Sequence, residues 1–168
     1  MCGKKNDLEN YTKPFKVIPL LSPPVESRSV SAGLLLTSFL NESFKTKCAG
    51  CQWENEAKYN PVKGKYTFIS INRRGFQDED GDAIPKLSTK VVDNASGKWG
   101  DKYLGELICV VSHRGSIQTG HFVTYSKVEE GGGAWYVSDD SKSPKQVTHP
   151  LRTSKKGETS ELLIFKNF

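Results

Sequence analysis

Between Tyr103 and Ser141 the chain reads YLGELICVVSHRGSIQTGHFVTYSKVEEGGGAWYVSDDS, and no other stretch limits the fold as firmly. Apolar, β-branched and aromatic residues recur in three runs, separated by RGSIQTG and EEGGGA. Such residues suit a half-buried pleated surface, and glycine accepts the positive φ of a chain reversal. The pattern predicts strands over YLGELICVVSH, HFVTYSKV and AWYVSDD, with the last two joined as a hairpin by the glycine tract. A hairpin centred on Glu130 sets Tyr125 opposite Trp135, Val123 opposite Val137 and His121 opposite Asp139. All six side chains then share one face, with directly opposed Cβ atoms about 5 Å apart. A one-residue slip would reverse the faces, whereas a two-residue slip would keep the face and change the partner.

The remainder of the chain continues the theme. FKVIPLL (Phe15–Leu21) predicts a short strand. SAGLLLTSFLNESF places Leu35, Leu36, Phe39 and Leu40 on one side of a helix, with Ser31 as its N-cap. FKTKCAGCQWENEAKY reads as two arms around a Cys-Ala-Gly-Cys turn. KYTFISIN alternates, with Thr67, Ile69 and Ile71 on one side. GFQDEDGDAIP is expected to be an acidic loop and KLSTKVV a strand. DNASGKWGDK and SKSPKQVTHPLRTSKKGETS are expected to be connectors, and ELLIFKNF the last strand. Residues 1–14 are expected to be a flexible N-terminus. One helix followed by many antiparallel strands makes an α+β domain dominated by antiparallel sheet.

Several function classes are disfavoured by composition. A length of 168 residues suits one domain. No apolar run approaches the roughly 20 residues of a membrane helix, and MCGKKNDLEN lacks the apolar region of a secretory signal. A cytoplasmic or nuclear setting with no membrane partner follows as the expectation. The net charge of +5 invites nucleic acid, yet the lysines are interleaved with acids along the chain. NRRGFQDED begins like a basic-Gly-aromatic RNA motif, then sets Gln77, Asp78 and Glu79 where small and apolar residues are needed. No nucleic-acid partner is expected.

The chemistry concentrates at the open end of the hairpin. A carboxylate beside an imidazole fixes its tautomer, orients it and stabilises its charged form. His121 and Asp139 therefore read either as a general base with its orienting acid or as a pair that caps a sheet edge. The preceding HRGSIQTG loop, with Gly115 and Gly120, can lie close to an extended backbone or serve as a plain connector. Cys109 sits in the apolar run ELICVVS and reads as a buried core thiol.

These segments together resemble the C-terminal signature of the ubiquitin-specific proteases, the papain-like deubiquitinases. The signature is an apolar strand, His-x-Gly, a short loop, Gly-His-Tyr, a strand, a Trp, and an acidic or amide residue before Asp-Ser. Here it falls on His113 and Gly115, on Gly120-His121-Phe122, on Trp135 and on Asp139-Asp140-Ser141, with Phe122 in place of the usual Tyr. GLLLTSFLNE resembles the helix that precedes the family's Cys-x-x-Cys. KCAGCQWENEAKYNPVKGKYTFISINRRGF resembles the run from that pair into a strand, and ELLIFKNF resembles the strand that closes the domain. The resemblance covers about residues 15–168 and matches the second half of a family domain. It implies a papain-like cysteine protease fold and hydrolysis of the bond after the ubiquitin Gly-Gly tail. It also implies ubiquitin or a ubiquitin-conjugated protein as partner, His121 as base, Asp139 as orienting acid and Asp140 as a supporting polar residue. His113, Arg114, Gly115, Gly120, Phe122 and Trp135 fall at substrate-binding positions, with the Arg114–Thr119 loop beside the channel for the tail.

The family's nucleophile belongs to an N-terminal Asn-x-Cys box, and none of Cys2, Cys48, Cys51 or Cys109 matches it. Three accounts stay open: a fragment of a longer enzyme, a non-catalytic ubiquitin-binding or scaffold module, or recruitment of a local thiol such as Cys109. No cofactor is expected. Zinc at Cys48 and Cys51 would need two further ligands to complete a structural site.

Overall fold

The computed structural model describes residues 18–20, 29–41, 43–47, 50–58, 64–73, 89–92, 98–99, 102–103, 105–116, 118–129, 132–150 and 157–167. In chain order these form β1 (Ile18–Leu20), β2 (Ser29–Ser31), α1 (Ala32–Asn41), β3 (Ser43–Lys47), β4 (Glu54–Lys58) and β5 (Tyr66–Ile71). There follow β6 (Lys90–Val92), β7 (Lys98–Trp99), β8 (Lys102–Tyr103), β9 (Glu106–Gly115), β10 (Gly120–Lys127), β11 (Trp135–Asp139), β12 (Lys142–Val147) and β13 (Glu158–Lys166). Seven strands make the main sheet, in the order β1-β5-β13-β9-β10-β11-β12. β2–β6, β3–β4 and β7–β8 are separate two-stranded ribbons. The α+β, antiparallel-sheet-rich architecture expected from the sequence is the one observed.

One row of side chains shows how the sheet holds together. Ile69 of β5 pairs with Leu163 of β13, Leu163 with Val110 of β9, Val110 with Tyr125 of β10, and Tyr125 with Val137 of β11. The first four are buried and Val137 packs against them. Period-two alternation puts these residues on one face, which α1 joins through Ala32, Leu35 and Leu36. The helix begins as expected, because the Leu34 N–H donates to Ser31 Oγ at 3.1 Å. Phe39 and Leu40 of the expected helical face lie, as side chains, outside the described residues.

Several expectations require correction. The hairpin register is shifted by two: Tyr125 pairs with Val137 and Lys127 with Trp135. The turn centres on the glycine tract rather than on Glu130. Gly132 and Gly133 take positive φ, and the Val128 N–H closes the loop on the Ala134 carbonyl at 2.9 Å. The strand expected from Tyr103 is broken at Gly105, where φ is 89° and a Cβ would lie 2.1 Å from the Lys166 carbonyl oxygen. β9 instead runs on through Gly115, so Arg114 stands in a strand rather than in the loop. The expected connectors contain strands: β7 and β8 in one, and β12 in the other. β12 is almost wholly exposed and carries Pro144 and two lysines, which fits an edge strand without alternation. β13 starts three residues earlier than expected, at Glu158. Two pairings, β1–β5 and β2–β6, are parallel.

β13 also bears a bulge. Ser160 pairs with Ser112 and Leu162 with Val111, which leaves Glu161 as the extra residue. A bulge re-aims the side chains beyond it. Strict alternation from Leu163 would send Glu158 to the face opposite the core, and the bulge returns it to the core face. Buried Arg73 braces this point, donating from Nε to the Ser160 carbonyl at 2.7 Å and from Nη1 to the Thr89 carbonyl at 2.6 Å. Burial holds the Arg73 guanidinium down at about 10.

Candidate functional site

Four residues beyond the Val110–Tyr125 pair, the same face of the sheet changes from apolar to charged. Arg114 of β9 pairs with His121 of β10 on one side and with Glu158 of β13 on the other. Asp139, at the end of β11, closes the group. His121 Nε2 lies 2.6 Å from Asp139 Oδ1, and His121 Nδ1 lies 3.4 Å from Asp140 Oδ2. The shifted register keeps His121 and Asp139 on one face and makes the contact diagonal rather than directly opposed. Asp140 takes φ of 50°, a conformation Asp tolerates, and turns the chain from β11 into β12.

The closer of the two carboxylates orients the ring. The hydrogen bond from His121, helped by Lys142 at 3.3 Å, holds the Asp139 carboxyl below its ordinary range. An ionised carboxylate only accepts, so His121 donates from Nε2 to Asp139 at 2.6 Å, while Nδ1 faces the Asp140 carboxylate at the longer distance of 3.4 Å. A carboxyl whose folded pKa is depressed stabilises the fold above its ordinary pKa and loses that contribution as pH falls through the folded value. Urea unfolding of the native chain and of Asp139→Asn is therefore expected to differ at pH 6, with the gap narrowing by pH 3. An unchanged gap would show that Asp139 is not held ionised by this pair.

Behind the pair lies a second layer. Arg114 donates from Nε to Glu158 Oε2 at 2.8 Å and from Nη1 to Asp139 Oδ2 at 3.4 Å. Tyr125 donates to Glu158 Oε1 at 2.6 Å, and the Glu158 side chain is fully buried. Burial, then the bond to Glu158, pushes the Tyr125 hydroxyl up to about 12. No sequence signal marks Glu158 as part of this cluster, since it lies in an expected connector.

The remaining candidates are distributed as follows. His113 and Phe122 pair on the opposite face, with ring centroids 4.7 Å apart; His113 is buried and Phe122 is 55% exposed. Gly115 and Gly120 pair at the mouth of the β9–β10 loop. Ser116 Oγ accepts from the Thr119 N–H at 3.1 Å and keeps that loop tight. Trp135 is buried in the core, its ring 5.7 Å from that of His149. Cys51 is exposed, and Cys48, its partner in the zinc pair considered from the sequence, lies outside the described residues. Cys109 pairs with Ser126 and Ile164 on the face opposite His121, and burial pushes its thiol pKa up. Five residues of strand separate it from Arg114, roughly 17 Å at the rise of an extended chain. Among the described residues, His121, Asp139 and Asp140 are the grouping whose atoms could jointly hold a metal ion. No helix among them is long and apolar enough to cross a membrane.

The family model described as ubiquitin carboxyl-terminal hydrolase matches residues 9–165. Among solved structures, the chain is similar to the SAGA Ubp8/Sgf11/Sus1/Sgf73 DUB module bound to ubiquitin aldehyde. That likeness has 21% identity and a TM-score of 0.54, covering 82% of this chain and 35% of that one. A module of the same composition bound to monoubiquitin gives 19% identity and a TM-score of 0.56, covering 82% and 34%. A yeast SAGA DUB module with a substituted Sgf73 gives 17% and 0.53, covering 81% and 31%. The chain thus spans about a third of the length of these chains, and at such identities the likeness is one of fold. No curated protein matches the chain in sequence.

Proposed function

Because this chain belongs to the ubiquitin carboxyl-terminal hydrolase family, we propose that it supplies the base and orienting acid of a thiol-dependent deubiquitinase. The observation that carries the reading is the His121–Asp139 contact of 2.6 Å; with Nε2 engaged by Asp139, the reading assigns Nδ1 as the base. In the proposed reaction Nδ1 takes the proton of a cysteine thiol, and the thiolate attacks the carbonyl of the terminal glycine of ubiquitin. The amine leaves with that proton and a thioester remains. Water then gives a proton to Nδ1 and its hydroxide to the carbonyl, which frees the carboxylate and the thiol. Throughout, Asp139 stabilises the imidazolium and holds its ring in place. Cys109 is not assigned as that thiol, since it is on the face opposite His121 and burial disfavours its thiolate; the reading takes the thiol from another segment. That last observation also favours a second reading, a non-catalytic module that binds ubiquitin through the same surface.

A ubiquitin probe with a C-terminal electrophile discriminates these. The chain alone is expected to bind plain ubiquitin and form no adduct. Supplying the cysteine-bearing half of a related enzyme is expected to restore an adduct that His121→Ala removes. Binding without restoration would leave the module reading. An adduct on the chain alone that Cys109→Ala abolishes would overturn the placement of the thiol.

A further inference from the structure

We propose that Arg114 is a positioning residue for the His121–Asp139 pair, tying the orienting acid to Glu158 of β13, a buried carboxylate that Tyr125 of β10 also holds. This rests on the proposed role of the pair and adds a residue to it. The anchor is built before it reaches the site. Glu158 is a fully buried carboxylate, and a buried charge is tolerated only when paired and hydrogen-bonded. Its two oxygens are taken by two different groups, Oε1 by the Tyr125 hydroxyl and Oε2 by Arg114 Nε. The guanidinium plane is therefore fixed from behind, and its outer nitrogen Nη1 points to Asp139 Oδ2. With Oδ2 so restrained, Oδ1 is the oxygen presented to His121 Nε2.

The other cation on Asp139 is a weaker constraint. Lys142 reaches Oδ2 at 3.3 Å, yet its side chain is 68% exposed against 24% for Arg114. A flexible ammonium attracts the carboxylate without setting its plane, whereas a guanidinium locked by a buried partner sets both distance and direction. The bulge at Glu161 makes the arrangement available, since it returns Glu158 to the face that carries Arg114 and His121. Arg114 thus acts through Asp139 and touches no reacting atom.

The test uses the full 168-residue chain and needs neither ubiquitin nor a thiol. Proton NMR follows the downfield signal of the His121 Nε2–H, assigned by its loss in His121→Asn. Arg114→Met is expected to abolish that signal by freeing Asp139 to rotate, and Arg114→Lys to weaken it. Tyr125→Phe releases the far end of Glu158 but leaves its bond to Arg114, and is expected to lower stability while keeping the signal. If Arg114→Met fails to fold, Arg114→Lys and Glu158→Gln carry the test. A signal of native strength in the Arg114 variants would overturn the proposal. So would loss in Tyr125→Phe equal to that in Arg114→Met at equal folded fraction, which would mark the cluster as structural alone. Absence of the signal in the native chain would overturn the pair and everything built on it. Failure to bind ubiquitin, with the signal behaving as expected, would overturn the functional reading and leave this one standing.

Discussion

Replacing Phe165 with alanine is expected to lower the stability of the fold by about 3–5 kcal/mol, the usual cost of emptying a fully buried aromatic site. Phe165 is 0% exposed and lies in β13, opposite Thr67 of β5 and Leu107 of β9. Its neighbours cannot close over the space easily, because each is fixed by ladder hydrogen bonds in a central part of the sheet. For a domain of this size the loss corresponds to a fall in Tm of roughly 6–20 °C. Phe122→Ala makes the contrast, since that ring is 55% exposed and leans on His113 alone among the described ring contacts. Its cost is expected to stay near 1 kcal/mol. Thermal unfolding of both variants checks the pair, and equal losses would contradict the burial on which the argument rests.

The second large effect is expected at Gly120, where alanine should disable the site as well as weaken the fold. A Cβ there would lie 2.1 Å from His113 Nε2 and 2.4 Å from the Arg114 carbonyl oxygen. The ring can move only by leaving a buried position beside Phe122, and the carbonyl can move only by opening the β9–β10 ladder. Overpacking of this kind costs roughly 1–3 kcal/mol. The strain falls one residue before His121 and on the carbonyl of Arg114, so the displacement is delivered to both halves of the charged cluster. Ubiquitin binding and any His121-dependent adduct are expected to fall at least about tenfold, the consequence of a loss of about 1.4 kcal/mol. Adding His113→Ala removes the ring clash and leaves the carbonyl clash, so the double variant should recover only part of the loss. Full recovery would show that the backbone had room to yield.

The contrast between these two positions bears on what a sequence can disclose. His121 and Asp139 were legible because their shared face depends on a period of two, which the shifted register preserved. The helix was legible through Ser31 and the Leu35–Leu36 face, both of which are local signals. Arg114 was legible as a residue near the site but not as its support. Its partner Glu158 is 44 positions away, and only an unsignalled bulge at Glu161 returns that carboxylate to the right face. β12 escaped notice for another reason. An exposed edge strand has no buried side, so KSPKQV carries no alternation to read. The parallel pairings of β1 and β2 depend on which distant strands they meet, and three-residue strands carry too little pattern to say.

The place of β13 in the sheet has a consequence for how the chain is made. It sits between β5 and β9, yet follows both of them in sequence, and β10, β11 and β12 as well. During synthesis, then, β1–β5 and β9–β12 emerge as two half-sheets whose facing edges have no partner until β13 arrives between them. Those edges are open templates for strands of other molecules. Joining them requires contacts distant in sequence, which form slowly. The interval before that last insertion is when the nascent chain is most exposed to misassembly and most in need of chaperones. The charged cluster is also assembled only then, because Glu158 arrives at the leading end of the same strand.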